Sequence, residues 1–117
     1  MNDVERVVKK VGGDIEDFIK AVTVATFSGV IRDTRVDTGR LRGNWQMTEN
    51  APASGEIARL DPGGNTTQAE VKNNVKAFTV MYLTNNLPYA RVWEDRDGMI
   101  ARNVARVQRN ISEAARR

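Results

Sequence analysis

The chain contains no cysteine and no histidine. Without thiols there is no disulfide and no thiolate metal site. Without imidazole, the commonest general base and transition-metal ligand is missing. Ser28, Ser54 and Ser112 therefore have no histidine to activate them as nucleophiles. Gly12-Gly13 and Gly63-Gly64 lack the lysine of a phosphate loop and the spacing of a dinucleotide fingerprint. These absences argue against an enzyme, and no cofactor is expected. Aromatic residues make up only 6% of the chain, so Trp45, Tyr89 and Trp93 stand out as anchors. No apolar run approaches the roughly 18 residues of a membrane span. The polar start Met1-Asn2-Asp3-Val4-Glu5 is not followed by the apolar stretch of a signal peptide. A soluble intracellular product with no membrane contact is expected. Internal repeats and low-complexity tracts are also missing.

What is present suits one domain over residues 1–117. A chain of that length buries roughly two-thirds of its unfolded surface, so it folds without staples. The net charge of +3 permits contact with nucleic acid or an acidic surface without requiring it.

Residues 3–33 read as helix. Val4, Val7, Val8, Val11, Ile15, Phe18, Ile19, Val22, Thr26, Gly29 and Val30 recur at helical spacings. Gly12-Gly13 interrupts the stripe, and Asp14 is placed to cap a fresh start. Asp37 or Thr38 then caps a short turn over Gly39–Leu41. Trp45 and Met47 alternate with Asn44, Gln46 and Thr48, as in a half-buried strand. Residues 50–55 form a loop, residues 56–60 a second strand, and Asp61-Pro62-Gly63-Gly64-Asn65 a turn. Residues 66–75 suit a short helix started by Asn65 or Thr66. Residues 77–84 read as a strand with Phe78, Val80 and Tyr82 on one face and Thr79, Met81 and Leu83 on the other. Both faces are largely apolar, which predicts a central strand. Asn85-Asn86-Leu87-Pro88 ends it, because proline cannot continue a central strand. A short helical turn follows through Tyr89, Val92 and Trp93.

The last helix, Met99–Ala115, opens at Asp97 or Gly98. Ile100, Val104, Val107 and Ile111 form its apolar side, with Arg102, Arg106 and Arg109 on the opposite one. That basic side is either a solvated surface or a contact for DNA or an acidic partner. The acids in Glu94-Asp95-Arg96-Asp97-Gly98 lack the spacing of a calcium-binding loop and read better as a solvated loop before a helix. The expected fold class is α+β, with a long N-terminal helix and a C-terminal helix packed on a small, mostly antiparallel sheet.

Two stretches carry a resemblance. Val36-Asp37-Thr38-Gly39-Arg40-Leu41-Arg42 resembles the "P-V-D-T-G-x-L-R" signature of small phage neck proteins. Asn85-Asn86-Leu87-Pro88-Tyr89-Ala90-Arg91-Val92-Trp93-Glu94 resembles their second signature: an asparagine-rich turn, Pro-Tyr-Ala, then a glutamate. Gly98-Met99-Ile100 and the final helix resemble the segment that follows. Two departures are visible, Arg35 where proline is usual and Asp95-Arg96 where a Glu-x-Gly element is common. The family comprises head–tail joining, neck and tail-completion proteins, including the minor tail protein Z type of lambdoid long-tailed phages.

The resemblance implies a tail-tube-like fold and a structural role in the virion. It implies a homo-oligomeric ring, commonly a hexamer, at the top of the tail. The expected neighbours are tail terminator, tail-tube and head-connector proteins, with DNA passing through the channel without sequence-specific contact. Assembly would take place in the host cytoplasm. The residues expected at the joints or subunit interfaces are Asp37, Thr38, Arg40, Arg42, Trp45, Tyr89, Trp93 and Glu94. Among them Arg40, Arg42 and Glu94 are expected to pack or to form salt bridges.

Overall fold

Helix α1 runs Ile15–Asp33. Asp14 starts it as its sequence position predicts, accepting the Asp17 N–H at 3.0 Å, and Glu16 and Asp17 suit the positive end of the helix dipole. The structure is a computed structural model that describes residues 14–116. The expected helical stretch before Asp14, with its Gly12-Gly13 break, lies outside the described residues. The later elements are α2 (Arg40–Gly43), β1 (Gln46–Glu49), α3 (Asn65–Asn74), β2 (Met81–Thr84), α4 (Ala90–Asp97) and α5 (Met99–Ala115). Helices pack on a two-stranded antiparallel sheet, so the fold is α+β. Among the described residues no helix is long and apolar enough to cross a membrane.

Helices α1 and α5 lie against each other, and Gly29 marks their close approach. A Cβ there would overlap the side chains of Asn103 and Arg106. Asn103 is 1% exposed, which demands partners for its amide. It donates to Met99 O at 2.7 Å and to Asp33 Oδ2 at 3.0 Å, and it accepts from Arg106 Nη2 at 3.1 Å. The core beside this contact joins Val30, Ile31, Trp45, Val71 and Met99, with Phe27, Met47, Leu83 and Trp93 packed around it. Full burial of such a side chain contributes about 1.5–3 kcal/mol.

Several expectations need correction. The strand over residues 77–84 shortens to Met81–Thr84. Phe78 has φ +61° and Val80 is 61% exposed, so the chain bends away before the ladder begins. Among the described residues strand β2 pairs with β1 alone, in the register Gln46↔Thr84 to Glu49↔Met81, and so stands at an edge rather than at the centre of a sheet. Residues 56–60 form no strand. Side chains hold their backbone instead: Asn44 Oδ1 accepts the Ile57 N–H at 2.9 Å. Arg59 donates to Gly43 O at 2.8 Å and to Trp45 O at 3.1 Å.

Helix starts also differ. Gly39, with φ +91°, is the N-cap of α2 rather than Asp37 or Thr38. The backbone approaches Pro62 so closely there that a Cβ would meet Pro62 N at 2.5 Å. Helix α3 begins at Asn65 behind Gly64. The last helix, by contrast, opens at Gly98, one of the two residues expected there, and the same Gly98 ends α4.

Helix α5 is rotated relative to its apolar stripe. Its buried residues are Met99, Asn103 and Val107, while Ile100 and Val104 are each 40% exposed. Each of the first two buried positions lies one residue before the apolar residue that sequence favours. The notch at Gly29 admits the Asn103 amide, and α5 turns to place it there. The same rotation carries Arg106 toward α1, where Nη2 donates to Ala25 O at 3.0 Å. The basic side is therefore not a row of three free arginines; Arg102 and Arg109 stay exposed.

Candidate functional site at the two joints

The first joint turns on Thr34, which is 0% exposed. Its hydroxyl donates to Val30 O at 2.6 Å and accepts the Trp45 indole N–H at 2.8 Å. Its carbonyl accepts from Arg42 Nη2 at 2.7 Å and Nε at 3.2 Å. Arg42 also donates to Arg32 O at 2.9 Å and Pro62 O at 2.6 Å. One guanidinium thus closes the C-terminal end of α1 onto the 61–64 turn. Its positive charge sits at the negative end of the helix dipole. The planar fork suits several carbonyls at once, as an ammonium does not.

Arg40 points elsewhere and pairs with Glu56 at 2.6 Å, both side chains being well exposed. Thr38 Oγ1 accepts the Arg40 N–H at 3.2 Å. Asp37 is exposed. Asn44, 0% exposed, donates to Arg40 O at 2.9 Å while holding Ile57. Asp61 accepts from Thr67 N at 2.8 Å and Thr67 Oγ1 at 2.7 Å, which fixes the first turn of α3. Burial pushes the Asp61 carboxyl upward, but the hydrogen bonds from Thr67, the charge of Arg59 and the Gly64 amide outweigh it and hold its pKa below the usual value.

The second joint is bound to the first. Asn85 Nδ2 donates to Leu41 O at 2.8 Å, and its Oδ1 accepts the Leu87 N–H at 3.2 Å. Asn86 Nδ2 donates to Ala53 O at 2.9 Å and Gly55 O at 3.0 Å. Leu41, Leu87 and Ala90 form a small buried cluster beneath these bonds. Trp93 packs against this cluster and against the main core.

The outer side of Trp93 carries cations. The Arg35 guanidinium lies 3.8 Å from the ring centroid and that of Arg96 lies 5.4 Å away. Arg35 also grips Asp97 with two bonds of 2.9 Å. That hydrogen-bonded charge pair lowers the Asp97 pKa and raises that of Arg35. Glu94 turns the other way, accepting Ile100 N–H at 2.8 Å and Ala101 N–H at 3.2 Å. It caps α5 through its side chain. Glu94 thus serves a helix cap and Asp97 an arginine, while Asp95 lies exposed, so the three acids are not gathered on one point.

Comparison with family models, curated proteins and solved structures finds no match.

Of the residues expected at the joints, Arg42, Trp45, Trp93 and Glu94 are engaged within the subunit, and Arg40 is paired at its surface. Asp37, Thr38 and Tyr89 lie exposed. Sequence reading missed Thr34, Arg35, Asn44, Arg59 and Asn85 as organising side chains. Arg35 registered only as a departure from proline. The dense asparagines of Asn85-Asn86 were the one visible signal, since such residues bond to nearby backbone.

Proposed function

We propose that this chain is a structural subunit of a phage neck. In this reading it assembles as a ring, commonly a hexamer, at the top of the tail and completes the tail for joining to the DNA-filled head. Its neighbours are the tail terminator, tail-tube and head-connector proteins, and DNA passes through the ring without base-specific contact. The virion is its final location.

The observation that carries this reading is the bond from Asn85 to Leu41, 44 residues apart in sequence. It ties together the two stretches in which the family resemblance resides, so the motifs form one block. Side chains such as Phe78, 75% exposed, and Leu60, 66% exposed, stand outside that block. A ring subunit needs a rigid body with apolar surface left for its neighbours.

Electron microscopy and sedimentation of the purified protein, alone and with tail-tube and connector proteins, test the proposal. Ring-shaped particles are expected. A protein that stays at monomer mass in every mixture defeats it.

A further inference from the structure

The outer half of α1 carries an apolar face that the core does not reach. Residues 21–31 include no charged side chain, so about three turns of this helix have no side made for water. Ile15, Ile19, Val22, Thr26 and Val30 fall on one stripe along it. The stripe starts inside the core, where Val30 is 2% exposed, and runs out to Ile15 at 67%. Between them Ile19, Val22 and Thr26 are only half-buried. Threonines do not make this surface polar. Thr26 Oγ1 donates to Val22 O at 2.8 Å and Thr23 Oγ1 to Ile19 O at 3.0 Å, so both hydroxyls turn back onto carbonyls of their own helix.

Helix α5 widens the same face. The two helices meet at Gly29 and Asn103 and again at Ala25 and Arg106, so they run antiparallel. In that arrangement the α1 stripe and the half-buried Ile111 of α5 lie on the same side of the seam between them.

The chain itself holds an occupant of matching length. Thirteen residues precede Asp14, and Val4, Val7, Val8 and Val11 among them recur at helical spacing. Asp14 has ψ 121° and its side chain accepts the Asp17 N–H, so α1 begins there rather than continuing an earlier helix. Gly12-Gly13 directly before it permits a tight reversal. A reversal at that point sets Val11 beside Ile15. As helices, Val4 to Val11 and Ile15 to Val22 each span about 10 Å. Lys9 and Lys10 then come beside the exposed Glu16 and Asp17. So short a tether holds the segment at an effective concentration on the order of 1 mM, above that of any second copy in dilute solution.

We infer that residues 4–11 fold back as a helix on this face, with their valines against Ile15, Ile19 and Val22 of α1 and Ile111 of α5. The chain thereby closes the α1–α5 face with its own segment. Apolar side chains such as Leu60, Phe78 and Val80 stay exposed for other molecules. This contact holds in the single subunit and does not depend on the ring reading.

The full chain tests it. Val7→Asp combined with Val8→Asp is expected to speed amide exchange over Ile19–Val24 about tenfold or more and to leave Val71 of α3 unchanged. Unaltered exchange over Ile19–Val24 overturns the inference. A nitroxide settles the case in which that variant unfolds. Attached at Asn2→Cys, the one thiol in an otherwise cysteine-free chain, it is expected to broaden the amides of Val22–Thr26. Broadening confined to residues before Ile19 overturns the fold-back. So does broadening of Val22–Thr26 in isotope-enriched, unlabelled protein mixed with labelled protein, since that places the segment on a second copy.

Discussion

Trp45 donates its indole N–H to Thr34 Oγ1 at 2.8 Å, with both residues buried. That bond fastens the strand-side end of the first joint to the end of α1. Replacing Thr34 with valine keeps the shape but leaves the indole N–H buried without an acceptor. Such a group costs about 1–3 kcal/mol. Trp45→Phe removes the donor and leaves a void, for a loss of about 1–3 kcal/mol. The double variant should cost less than the sum of the two. Urea unfolding of the four proteins measures this coupling, and strict additivity would show that the bond contributes nothing.

Arg42 and Arg40 are two residues apart and should behave very differently. Arg42 joins the carbonyls of residues 32, 34 and 62, whereas Arg40 makes an exposed pair with Glu56. An exposed pair is worth about 0–1 kcal/mol, while hydrogen bonds to a charged group contribute about 1.5–3 kcal/mol each. Arg42→Ala is expected to lower stability by more than about 2 kcal/mol, and Arg42→Lys to recover only part of it. Arg40→Ala should change stability by less than about 1 kcal/mol. Equal losses at the two positions would refute the clasp at Thr34.

Gly29 gives a prediction whose sign is informative. On an exposed helix face, glycine to alanine adds about 1 kcal/mol of stability. Here the new methyl group would strike the Asn103 amide. Overpacking of this kind costs about 1–3 kcal/mol, so Gly29→Ala should destabilise. Thermal unfolding measures it, and a raised midpoint would mean that α1 and α5 do not meet at this residue.

Asp61 links stability to acid. Its folded pKa lies below the ordinary carboxylate value because Thr67, Arg59 and Gly64 favour the charged form despite burial. A depressed pKa contributes stability that is fully present above the unfolded value of about 3.9 and is lost as pH falls through the folded value. Acid unfolding should therefore steepen below about pH 4. Asp61→Asn should be less stable at neutral pH and show a flatter acid limb. An unchanged acid limb in that variant would assign the pH dependence to other carboxylates.

The sequence made some of this legible and hid the rest for physical reasons. Asp14, α1 and α5 could be read because capping and periodicity are local. The break at Asn85–Pro88 was equally plain, since proline acts on its own backbone and its neighbour's. Phe78 could not be read: in an apolar alternation it looks like a buried strand residue, and only its positive φ takes it out of the ladder. Residues 56–60 looked like a strand because extended backbone has the same local pattern whether a ladder or the side chains of Asn44 and Arg59 hold it. The rotation of α5 was hidden for a further reason. A helix shows its own apolar face, but α1 decides which face is used, through Gly29 and a buried Asn103.

That rotation decides what the arginines of α5 can do for nucleic acid. Arg106 is committed to Ala25 O and Asn103 Oδ1, while Arg102 and Arg109 remain exposed. Arg106→Ala should lower stability by about 0.5–3 kcal/mol through the lost bonds and leave any DNA affinity nearly unchanged. Binding through the remaining pair would neutralise two phosphates, giving a log–log salt slope of about −1.8 rather than the −2.7 or so of three. Replacing Arg102 and Arg109 together with alanine should remove that slope. Titration of duplex DNA across a salt series reads both quantities. If Arg106→Ala weakened binding as much as Arg102→Ala while leaving unfolding untouched, Arg106 would have to face outward, and the packing of α5 on α1 would be wrong.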